Sequence, residues 1–418
     1  MINGLSATPR IIAILLGIAI PSVVFGRAVF AVIVGLALIA LFFCKPWRQI
    51  AGDLWEQCQR PLGILILLTF VAWLPNVGIS NYPLRSFEAV FRTLAFVGIA
   101  AVFFAYMSSD QRLTTTCFQV FMASAVVGTG FAFITMTVLP ELFWFLRLKG
   151  WQSTSIGFSH KGFSALAVMI IPLAVLGAYR IGGVWKVLGA VICIGMLALV
   201  WENYNRSTIA GFLAMAISVA VAWTIGRGGK RQVLITIGSV GALSAVVFTW
   251  LKITRQQYEA FAPNTDWLVP VWLVDYERQT IWMAAWEFGS ESPWFGIGAN
   301  AINFVPGADA IIQGTRDLHI IPAHPHNWIV EIYAETGWVG LTALLLTVSV
   351  MSFQLIKNYR QFNSPGILAA IAIMAGYWGS GLFNFSYWSA WWQLSFGLSV
   401  VLCLASDGRV QSDRAGRH

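Results

Sequence analysis

Twelve long apolar runs constrain the fold of this chain more than any other feature of its sequence. They lie near residues 11–26, 28–44, 62–78, 87–107, 116–138, 163–179, 184–201, 207–225, 233–251, 328–356, 365–383 and 388–405. A helix needs roughly 20 apolar residues to cross a bilayer. The runs are continuous and do not alternate with polar residues, which argues against a membrane β-barrel. The sequence therefore predicts an all-α integral membrane protein with about twelve transmembrane helices.

The chain also has too few charged side chains to cover a soluble protein. Of its 418 residues, 58% are hydrophobic and 11% are charged, whereas soluble domains carry about a quarter charged residues. A soluble enzyme, a disordered chain and a coiled coil are therefore excluded. We expect a single membrane domain over residues 1–418, and we expect the first run to be retained, because no small-residue cleavage site follows it.

The basic residues are divided unevenly between the two sides of these spans. If the amino terminus is cytoplasmic, 15 of the 26 basic residues and five acidic residues fall on that side, a net charge of +10, and the rest of the chain carries −2. Cytoplasmic connectors carry such an excess. We therefore expect a multi-pass protein of the bacterial inner membrane with both termini cytoplasmic. The overall charge of +8 then reports orientation, and no nucleic-acid partner is expected.

Two stretches between spans are long, residues 139–162 and 252–327, and this topology places both on the periplasmic side. In the larger stretch, apolar side chains recur at helical spacing between Arg278 and Trp286. We therefore predict a large periplasmic loop that contains short helices. Neither stretch contains a cysteine, so no disulfide framework is expected.

Histidines are concentrated on the predicted periplasmic side, where His319, His324 and His326 lie within eight residues of one another. Such a cluster could ligate a metal, could be polar loop side chains, or could supply an acid–base group, since imidazole titrates near neutrality. Cysteine is missing from this stretch and Asp317 is the one carboxylate close by. An acid–base role is therefore favoured over a metal site.

Two arginines on the same side are candidates for binding an anion. Arg206 ends a short connector and Ser207 then opens a helix, whereas Arg278 begins the amphipathic segment. Each could instead pair with a carboxylate, for which Glu202 and Glu277 are available. Guanidinium groups keep their charge and hold phosphate oxygens bidentately, and Ser207 would add donors at a helix amino terminus.

Other polar features of the chain have structural interpretations that compete with functional ones. Glu331 and Glu335 lie one helical turn apart inside a predicted span; such acids are often functional, but hydrogen bonds to a neighbouring helix explain them nearly as well. The segment 296–298, Gly-Ile-Gly, is interpreted as a tight turn, because no strand precedes it. Glu88 and Arg92 share a helical face and are predicted to pair.

Taken together, these residues resemble the O-antigen ligase and polymerase superfamily of bacterial inner-membrane glycosyltransferases, and in their motifs they are most similar to the ligases. The most specific stretch is His326-Asn327, followed after nine residues by Gly337-Trp338-Val339-Gly340. Three further segments are similar to family motifs: the stretch from Arg278 through the Pro-Trp-Phe-Gly-Ile-Gly turn at 293–298, Arg206-Ser207, and Ser159-His160-Lys161. In the last of these, Gly162 stands where Asn is usual.

The resemblance implies glycosyl transfer on the periplasmic face, with inversion at the anomeric carbon. The donor would be a glycan on undecaprenyl diphosphate, and the acceptor a hydroxyl of lipid A–core oligosaccharide in a ligase or of another lipid-linked unit in a polymerase. His326 would be the catalytic base, and Arg206 and Arg278 would bind the donor diphosphate. The residues with supporting roles would be His324, Asn327, Ser207, Glu331, His160 and Lys161.

No cofactor or metal is expected for this reaction. The first outer connector, near Gly26-Arg27, has no acid, and Asp309 and Asp317 have no adjacent acidic partner. A transporter of lipid-linked sugars is the alternative from another class. Transporters usually place their site at mid-membrane between two related halves, whereas this chain has no such halves and its polar cluster lies at one face.

Overall fold

The computed structural model describes residues 7–146, 156–227, 229–257 and 268–407. Within these ranges the protein is all-α, and the described residues contain no β-strand beyond one isolated bridge between Ile311 and His319. Parts of the two predicted periplasmic loops, residues 147–155 and 258–267, lie outside the described residues, as does the carboxy-terminal stretch that includes His418.

Sixteen α-helices make up the described chain. They are α1 (Ala7–Ala19), α2 (Arg27–Cys44), α3 (Trp47–Gln59), α4 (Pro61–Ile79), α5 (Pro83–Met107), α6 (Gln111–Thr137), α7 (Pro140–Leu146), α8 (Ile156–Ala165), α9 (Ala167–Ile181), α10 (Val184–Glu202), α11 (Arg206–Arg227), α12 (Lys230–Arg255), α13 (Tyr276–Ser290), α14 (Trp328–Phe362), α15 (Pro365–Gly381) and α16 (Ala390–Ala405).

Each predicted span overlaps one or two of these helices, and the prediction of an all-α membrane protein is confirmed. Eight helices in the described chain are long and apolar enough to cross a bilayer, and α8 and α9, bent by 45° at their junction, add a ninth if they form one span. Of the remaining predicted spans, α1 and α16 are shorter apolar helices. The number of twelve spans stays a prediction.

Large apolar side chains cover the outside of the bundle, as expected where lipid surrounds a helix. On α2, Val32 is 60% exposed and Phe43 is 83% exposed, whereas Phe30 and Val34 on the opposite side of the helix are buried. The connector after α2 forms the amphipathic helix α3. Its Ile50 is buried and its Trp55 is exposed.

Small residues allow α11 and α15 to pack with their backbones close together. A Cβ atom on Gly211 would lie 2.9 Å from the main-chain oxygen of Gly376, and one on Gly379 would lie 2.5 Å from the side chain of Ala214. Close approach at small residues is typical of membrane helices. This contact fixes α15, and therefore the loop that follows it, against the amino-terminal end of α11.

Helix α14 is broken at Gly337, about two and a half turns after its first residue, where φ is 67° and ψ is −172°. The turn at 293–298 fills the break: the main-chain nitrogens of Ile297 and Gly298 donate to the oxygens of Ala334 and Glu335, at 3.0 and 3.1 Å. The interpretation of this Gly-Ile-Gly segment as a tight turn is consistent with these contacts. The break fixes the first part of α14, which begins just after His326.

Candidate active site

His326 lies immediately before α14, in a left-handed backbone conformation with φ of 57°. Its Nδ1 atom is 3.1 Å from the main-chain oxygen of Asn384. A carbonyl oxygen can only accept, so in the neutral ring Nδ1 carries the hydrogen and Nε2 has the free lone pair. His326 is therefore held in the tautomer that can take a proton through Nε2.

The segment that carries His326 is held by its neighbours on both sides. The main-chain nitrogen of His326 donates to Nδ1 of His324 at 3.2 Å, and the two ring centroids are 4.2 Å apart. Trp282 on α13 donates its indole N–H to the oxygen of Pro325, at 3.0 Å. After His326, the side chain of Asn327 accepts from the main-chain nitrogen of Ile329 at 3.0 Å and caps α14.

Both imidazoles are kept neutral at physiological pH. Burial, together with the positive charges of Arg278 and Lys161, lowers the pKa of His326 to about 4, against an opposing contribution from the bond to Asn384. Burial also lowers the pKa of His324 to about 3, with the charges of His326, Arg278 and Arg27 acting in the same direction. A neutral imidazole can accept a proton from a hydroxyl group.

Arg278 lies on the first turn of α13, next to the histidine segment. One guanidinium nitrogen donates to the main-chain oxygen of Phe383 at 3.0 Å. Phe383 is adjacent to Asn384, so successive carbonyl groups of one loop hold the arginine and the histidine. This loop, residues 382–389 between α15 and α16, is called the α15–α16 loop below.

Arg206 does not pair with Glu202 or Glu277 as the sequence analysis allowed. Its guanidinium lies 3.3 Å from a carboxylate oxygen of Asp275, and the other oxygen of Asp275 accepts from Arg255. The side chain of Arg206 is 48% exposed and that of Arg255 only 8%. Asp275 therefore neutralises mainly the buried arginine, and Arg206 remains accessible.

The amino terminus of α11 and the helix α8 are joined through Asn205. Its side-chain nitrogen donates to the main-chain oxygen of Lys161 at 3.1 Å and to the hydroxyl of Ser164 at 3.0 Å. Ser207 donates its hydroxyl to the Asn205 side chain at 2.8 Å. This arrangement fixes the helical turn that contains Lys161 next to Arg206. It also occupies the hydroxyl hydrogen of Ser207 in a bond within the protein.

His160 points away from this cluster, although it precedes Lys161 in the chain. It is buried, with Nε2 2.9 Å from the hydroxyl of Thr135, and its ring packs on Phe143 at a centroid distance of 4.6 Å. These contacts are those of a histidine in a packed core. The structure therefore brings together His326, His324, Arg278, Arg206 and Lys161, and does not include the His160 ring.

Glu331 and Glu335 hold the α15–α16 loop from the first turns of α14. Glu331 accepts from the hydroxyl of Ser386 at 2.5 Å and from the main-chain nitrogen of Tyr387 at 2.7 Å. Glu335 accepts from the indole N–H of Trp388 and from the main-chain nitrogen of Asn300 at 2.8 Å. These buried acids therefore accept hydrogen bonds from the α15–α16 loop and from the segment that contains Asn300, whereas the structural interpretation expected a neighbouring helix.

The predicted pair on α5 also forms. Arg92 bonds to Glu88 one turn before it on the helix, and a second guanidinium nitrogen donates to the main-chain oxygen of Trp388 at 2.9 Å. A third element therefore anchors the α15–α16 loop.

Sequence reasoning missed four parts of this site: Asp275, Arg255, Arg27 and the α15–α16 loop. Asp275 and Arg255 are far apart in sequence from Arg206, and no local spacing joins the three residues. The loop acts mainly through main-chain oxygens, which leave no signature in the sequence. Its polar residues between two apolar spans, Asn384 and Ser386, were the available signal.

In the described part of the chain, no group of three or more His, Cys, Asp or Glu side chains is close enough to hold a metal ion. His319 is exposed and its Nδ1 lies 2.5 Å from the main-chain oxygen of Asp309. It is therefore separate from the His324–His326 pair. The expectation that the reaction needs no metal stays a prediction.

Comparison with known proteins confirms the resemblance inferred from the motifs. The profile of the family described as O-antigen ligase matches residues 191–345. This range includes α11, α12, α13 and the first part of α14, and therefore Arg206, Arg278 and His326.

Individual relatives are similar over shorter stretches. A Rickettsia conorii protein whose name describes it as a polysaccharide ligase is 29% identical over 116 residues, and a Rickettsia prowazekii protein with the same description is 30% identical over 114 residues. Each match covers 27% of this chain and 27% of the relative, so the chain spans about a quarter of their length. The teichuronic acid biosynthesis protein TuaE of Bacillus subtilis is 27% identical over 185 residues, 43% of this chain and 36% of TuaE.

Proposed function

We propose, on the premise that residues 191–345 of this membrane protein are an O-antigen ligase domain, that the chain transfers a glycan from undecaprenyl diphosphate to a hydroxyl of lipid A–core oligosaccharide. The observation that carries the proposal is the pair of adjacent carbonyl groups in the α15–α16 loop. They hold Arg278 and the Nδ1 atom of His326, so an anion-binding group and a base are fixed relative to one another.

The proposed reaction is a single displacement that inverts the anomeric carbon. The acceptor hydroxyl gives its proton to Nε2 of His326, and its oxygen forms the new bond to the anomeric carbon. The bond from that carbon to the diphosphate oxygen breaks, and its electron pair leaves with the lipid diphosphate. Positioned general bases contribute about 10²–10⁴-fold to such reactions.

The leaving diphosphate gains negative charge as its bond breaks, and fixed cations would stabilise that charge. Arg278 has guanidinium nitrogens beyond the one bound to Phe383, and Arg206 is half exposed beside it. Preorganised donors of this kind contribute several kcal/mol, because they need no reorganisation as charge develops. We infer that these two arginines bind the diphosphate without a metal ion.

The proposal of a lipid-linked donor is supported by an apolar cavity of about 300 Å³ between α4, α5, α14, α15 and α16. Tyr387 of the α15–α16 loop lines this cavity, and so do residues deeper in the bundle such as Phe70 and Met351. Tyr387 is also held by Glu331. An apolar chain in the cavity would therefore lie against the loop that positions the base.

We infer that the site faces the periplasm of the bacterial inner membrane and that both termini are cytoplasmic. The charge distribution of the connectors supports this orientation. It places the two long loops, residues 139–162 and 252–327, on the periplasmic side, together with the α15–α16 loop.

Joining of lipid-linked repeat units by a polymerase is the second candidate. The similarity to TuaE, whose name gives the biosynthesis of teichuronic acid and no ligation, favours it. Both candidates would use the same base and cations, and they differ in the acceptor.

The test is transfer by the purified protein in detergent, with a lipid-linked glycan donor and either core lipopolysaccharide or a second lipid-linked unit as acceptor. Ligation to the core supports the first candidate, and elongation of the lipid-linked unit supports the second. A transporter would give no product, since detergent leaves no compartments. His326→Ala should lower the rate at least about 100-fold, whereas His319→Ala, at an exposed histidine of the same loop, should not.

A further inference from the structure

Asp275, the residue that precedes α13, contacts three arginines from three helices. One of its carboxylate oxygens lies 3.3 Å from the guanidinium of Arg206, at the start of α11, and the other accepts from Arg255, at the end of α12. Its main-chain oxygen accepts from the main-chain nitrogen of Arg278, in the first turn of α13, at 3.1 Å. Asp275 therefore joins the two arginines that are proposed to bind the diphosphate.

The charges of this group act on one another. Burial lowers the pKa of the Arg278 guanidinium, the negative charge of Asp275 opposes that effect, and the positive charges of Arg206 and Arg255 add to it. Like charges repel one another, and a carboxylate between them reduces that repulsion. Asp275 therefore lets the arginines lie close together before an anion binds.

Asp275 is itself held in place. The buried side chain of Arg255 binds its carboxylate and also donates to the main-chain oxygen of Leu273 at 2.9 Å. Gln279, buried in the first turns of α13, donates to the main-chain oxygen of Val274 at 2.9 Å. Two other side chains thus fix the backbone that leads into Asp275, so its carboxylate has a defined position relative to α13.

Arg206 is only partly occupied by Asp275. Its half-exposed side chain meets one carboxylate oxygen, because Arg255 holds the other. A carboxylate that bound Arg206 through both oxygens would occupy two of the nitrogens with which a guanidinium binds a phosphate group. Asp275 therefore orients Arg206 and leaves guanidinium nitrogens for a ligand.

We propose that Asp275 is a positioning residue of the diphosphate site. Its carboxylate holds Arg206 beside Arg278, and Arg255 keeps that carboxylate from occupying Arg206 fully. The effect of Asp275 on transfer rests on the proposed function, whereas its effect on anion binding does not.

The first test measures binding of inorganic pyrophosphate and needs no transfer. Purified full-length protein in detergent is titrated as wild type, Asp275→Asn, Arg206→Gln and the double variant. Asparagine keeps the main-chain oxygen that binds Arg278 and removes the charge that holds Arg206. Asp275→Asn should weaken pyrophosphate binding about 5-fold, the scale of one hydrogen bond. In the Arg206→Gln background it should not weaken binding, since there it only removes a charge that repels the anion.

Three results of this titration would contradict the proposal. If Asp275→Asn alone leaves binding unchanged or tightens it, the carboxylate does no more than repel the anion. If it weakens binding equally with and without Arg206, it acts by another route. If pyrophosphate does not bind the wild type, there is no diphosphate site for Asp275 to position.

Glu277→Gln is the matched control. It removes the same charge two residues further along the chain, and within the described residues Glu277 forms no salt bridge. This variant should not weaken pyrophosphate binding. A loss equal to that of Asp275→Asn would assign the effect to net charge near α13, and the proposal would fail.

The second test separates positioning from stability by measuring transfer. Asp275→Asn leaves buried Arg255 without this bond and should lower the melting temperature, whereas Asp275→Asn combined with Arg255→Gln removes both charges and should recover part of it. Both variants should lose kcat about 10-fold per folded enzyme, which is less than the roughly 10²–10³-fold loss on removing a preorganised donor outright.

The outcome also distinguishes this proposal from the proposed function. If kcat returns together with the melting temperature in the double variant, Asp275 stabilises the fold and does not position Arg206. If the wild type transfers no glycan while the pyrophosphate results are as expected, the proposed function is wrong and Asp275 still positions an anion site.

Discussion

Nδ1 of His326 lies 3.1 Å from the main-chain oxygen of Asn384, and this contact selects the tautomer of the proposed base. Because the oxygen cannot donate, the ring must present a lone pair at Nε2 whenever it is neutral. The adjacent carbonyl, that of Phe383, binds Arg278. A short loop between two membrane helices therefore determines both the nitrogen of His326 that accepts a proton and the position of Arg278.

The pH dependence of transfer should reflect the low pKa of His326. Burial and the charge of Arg278 disfavour the protonated ring and lower the pKa to about 4. The ring is therefore neutral above that pH and protonated below it. We expect kcat/KM to stay level from about pH 7 down to about pH 5 and to fall near pH 4, since this ratio reports the free enzyme. A fall centred on the ordinary histidine value near 6.5 would contradict this.

Removing a neighbouring positive charge should move that acid limb upward. In Arg278→Gln the imidazolium loses a repelling partner, so the pKa of His326 rises and kcat/KM begins to fall at a higher pH than in wild type. Arg316→Gln changes an exposed arginine in the stretch 252–327, which also contains Arg278. It should leave the acid limb at the same pH as in wild type. Both profiles are measured from the residual rates across the pH range. If kcat/KM falls at the same pH in Arg278→Gln and in wild type, the charge of Arg278 does not act on His326.

Arg278→Lys should fail to support transfer although it keeps the charge. The arginine donates to Phe383 at 3.0 Å and keeps other nitrogens for an anion, whereas a single ammonium group cannot copy this planar geometry. We expect a loss in kcat of about 10²–10³, the usual effect of removing a preorganised donor. Arg316→Lys is the control. A near-normal rate for Arg278→Lys would indicate that only charge is needed.

Glu331 should act on the reaction through the α15–α16 loop. It binds Ser386 and Tyr387, two and three residues after Asn384. Glu331→Gln keeps one accepting oxygen but turns an amide N–H₂ group toward the second donor, so the loop shifts and the bond to His326 weakens. We expect kcat to fall at least about 10-fold, in line with a lost buried hydrogen bond of 1–3 kcal/mol, with little change in KM for the donor.

Ser386→Ala removes one of the two contacts of Glu331 and should give a smaller loss in kcat of the same kind. Glu291→Gln, at an exposed acid after α13, is the control for a change of charge. If Glu331→Gln lowers the melting temperature while the remaining folded enzyme keeps its kcat and its pH profile, the residue stabilises the fold and does not position the base.

The sequence predicted the helices because apolar runs of span length have few other structures available in a membrane. It also predicted which polar residues share one side, since topology alone brings His326, Arg278, Arg206 and Lys161 to the same end of the bundle. The partners within the site were not predictable in this way. Asp275 joins arginines from α11 and α12, and the carbonyls of Phe383 and Asn384 would be present whatever the side chains.

Transfer should not need a divalent metal ion. The cluster around His326 contains fixed cations, and these would stabilise the negative charge of the proposed leaving group. Excess EDTA should therefore leave the rate of the purified enzyme unchanged, and adding Mg²⁺ or Mn²⁺ afterwards should not raise it. Loss of all transfer with EDTA and recovery with either ion would overturn this prediction.

Gly337→Ala should destabilise the protein more than a surface change elsewhere in the bundle. With φ of 67° and ψ of −172°, the residue occupies a region open essentially to glycine, which costs another residue about 1–3 kcal/mol. An added Cβ would also lie 2.3 Å from the main-chain oxygen of Trp294, and a backbone atom cannot move aside as a side chain can. We therefore expect a loss in stability of about 3 kcal/mol or more, measured as thermal unfolding in detergent.

The matched control is Gly35→Ala on α2, where a Cβ would meet nothing within 4 Å. Alanine favours helix over glycine by about 1 kcal/mol, so this variant should be as stable as wild type or slightly more so. Because the break at Gly337 sets the direction of the first turns of α14, the Gly337→Ala protein that still folds should also transfer more slowly, through displacement of His326 and Glu331. Equal melting temperatures for the two variants would mean that the break is not required for the fold.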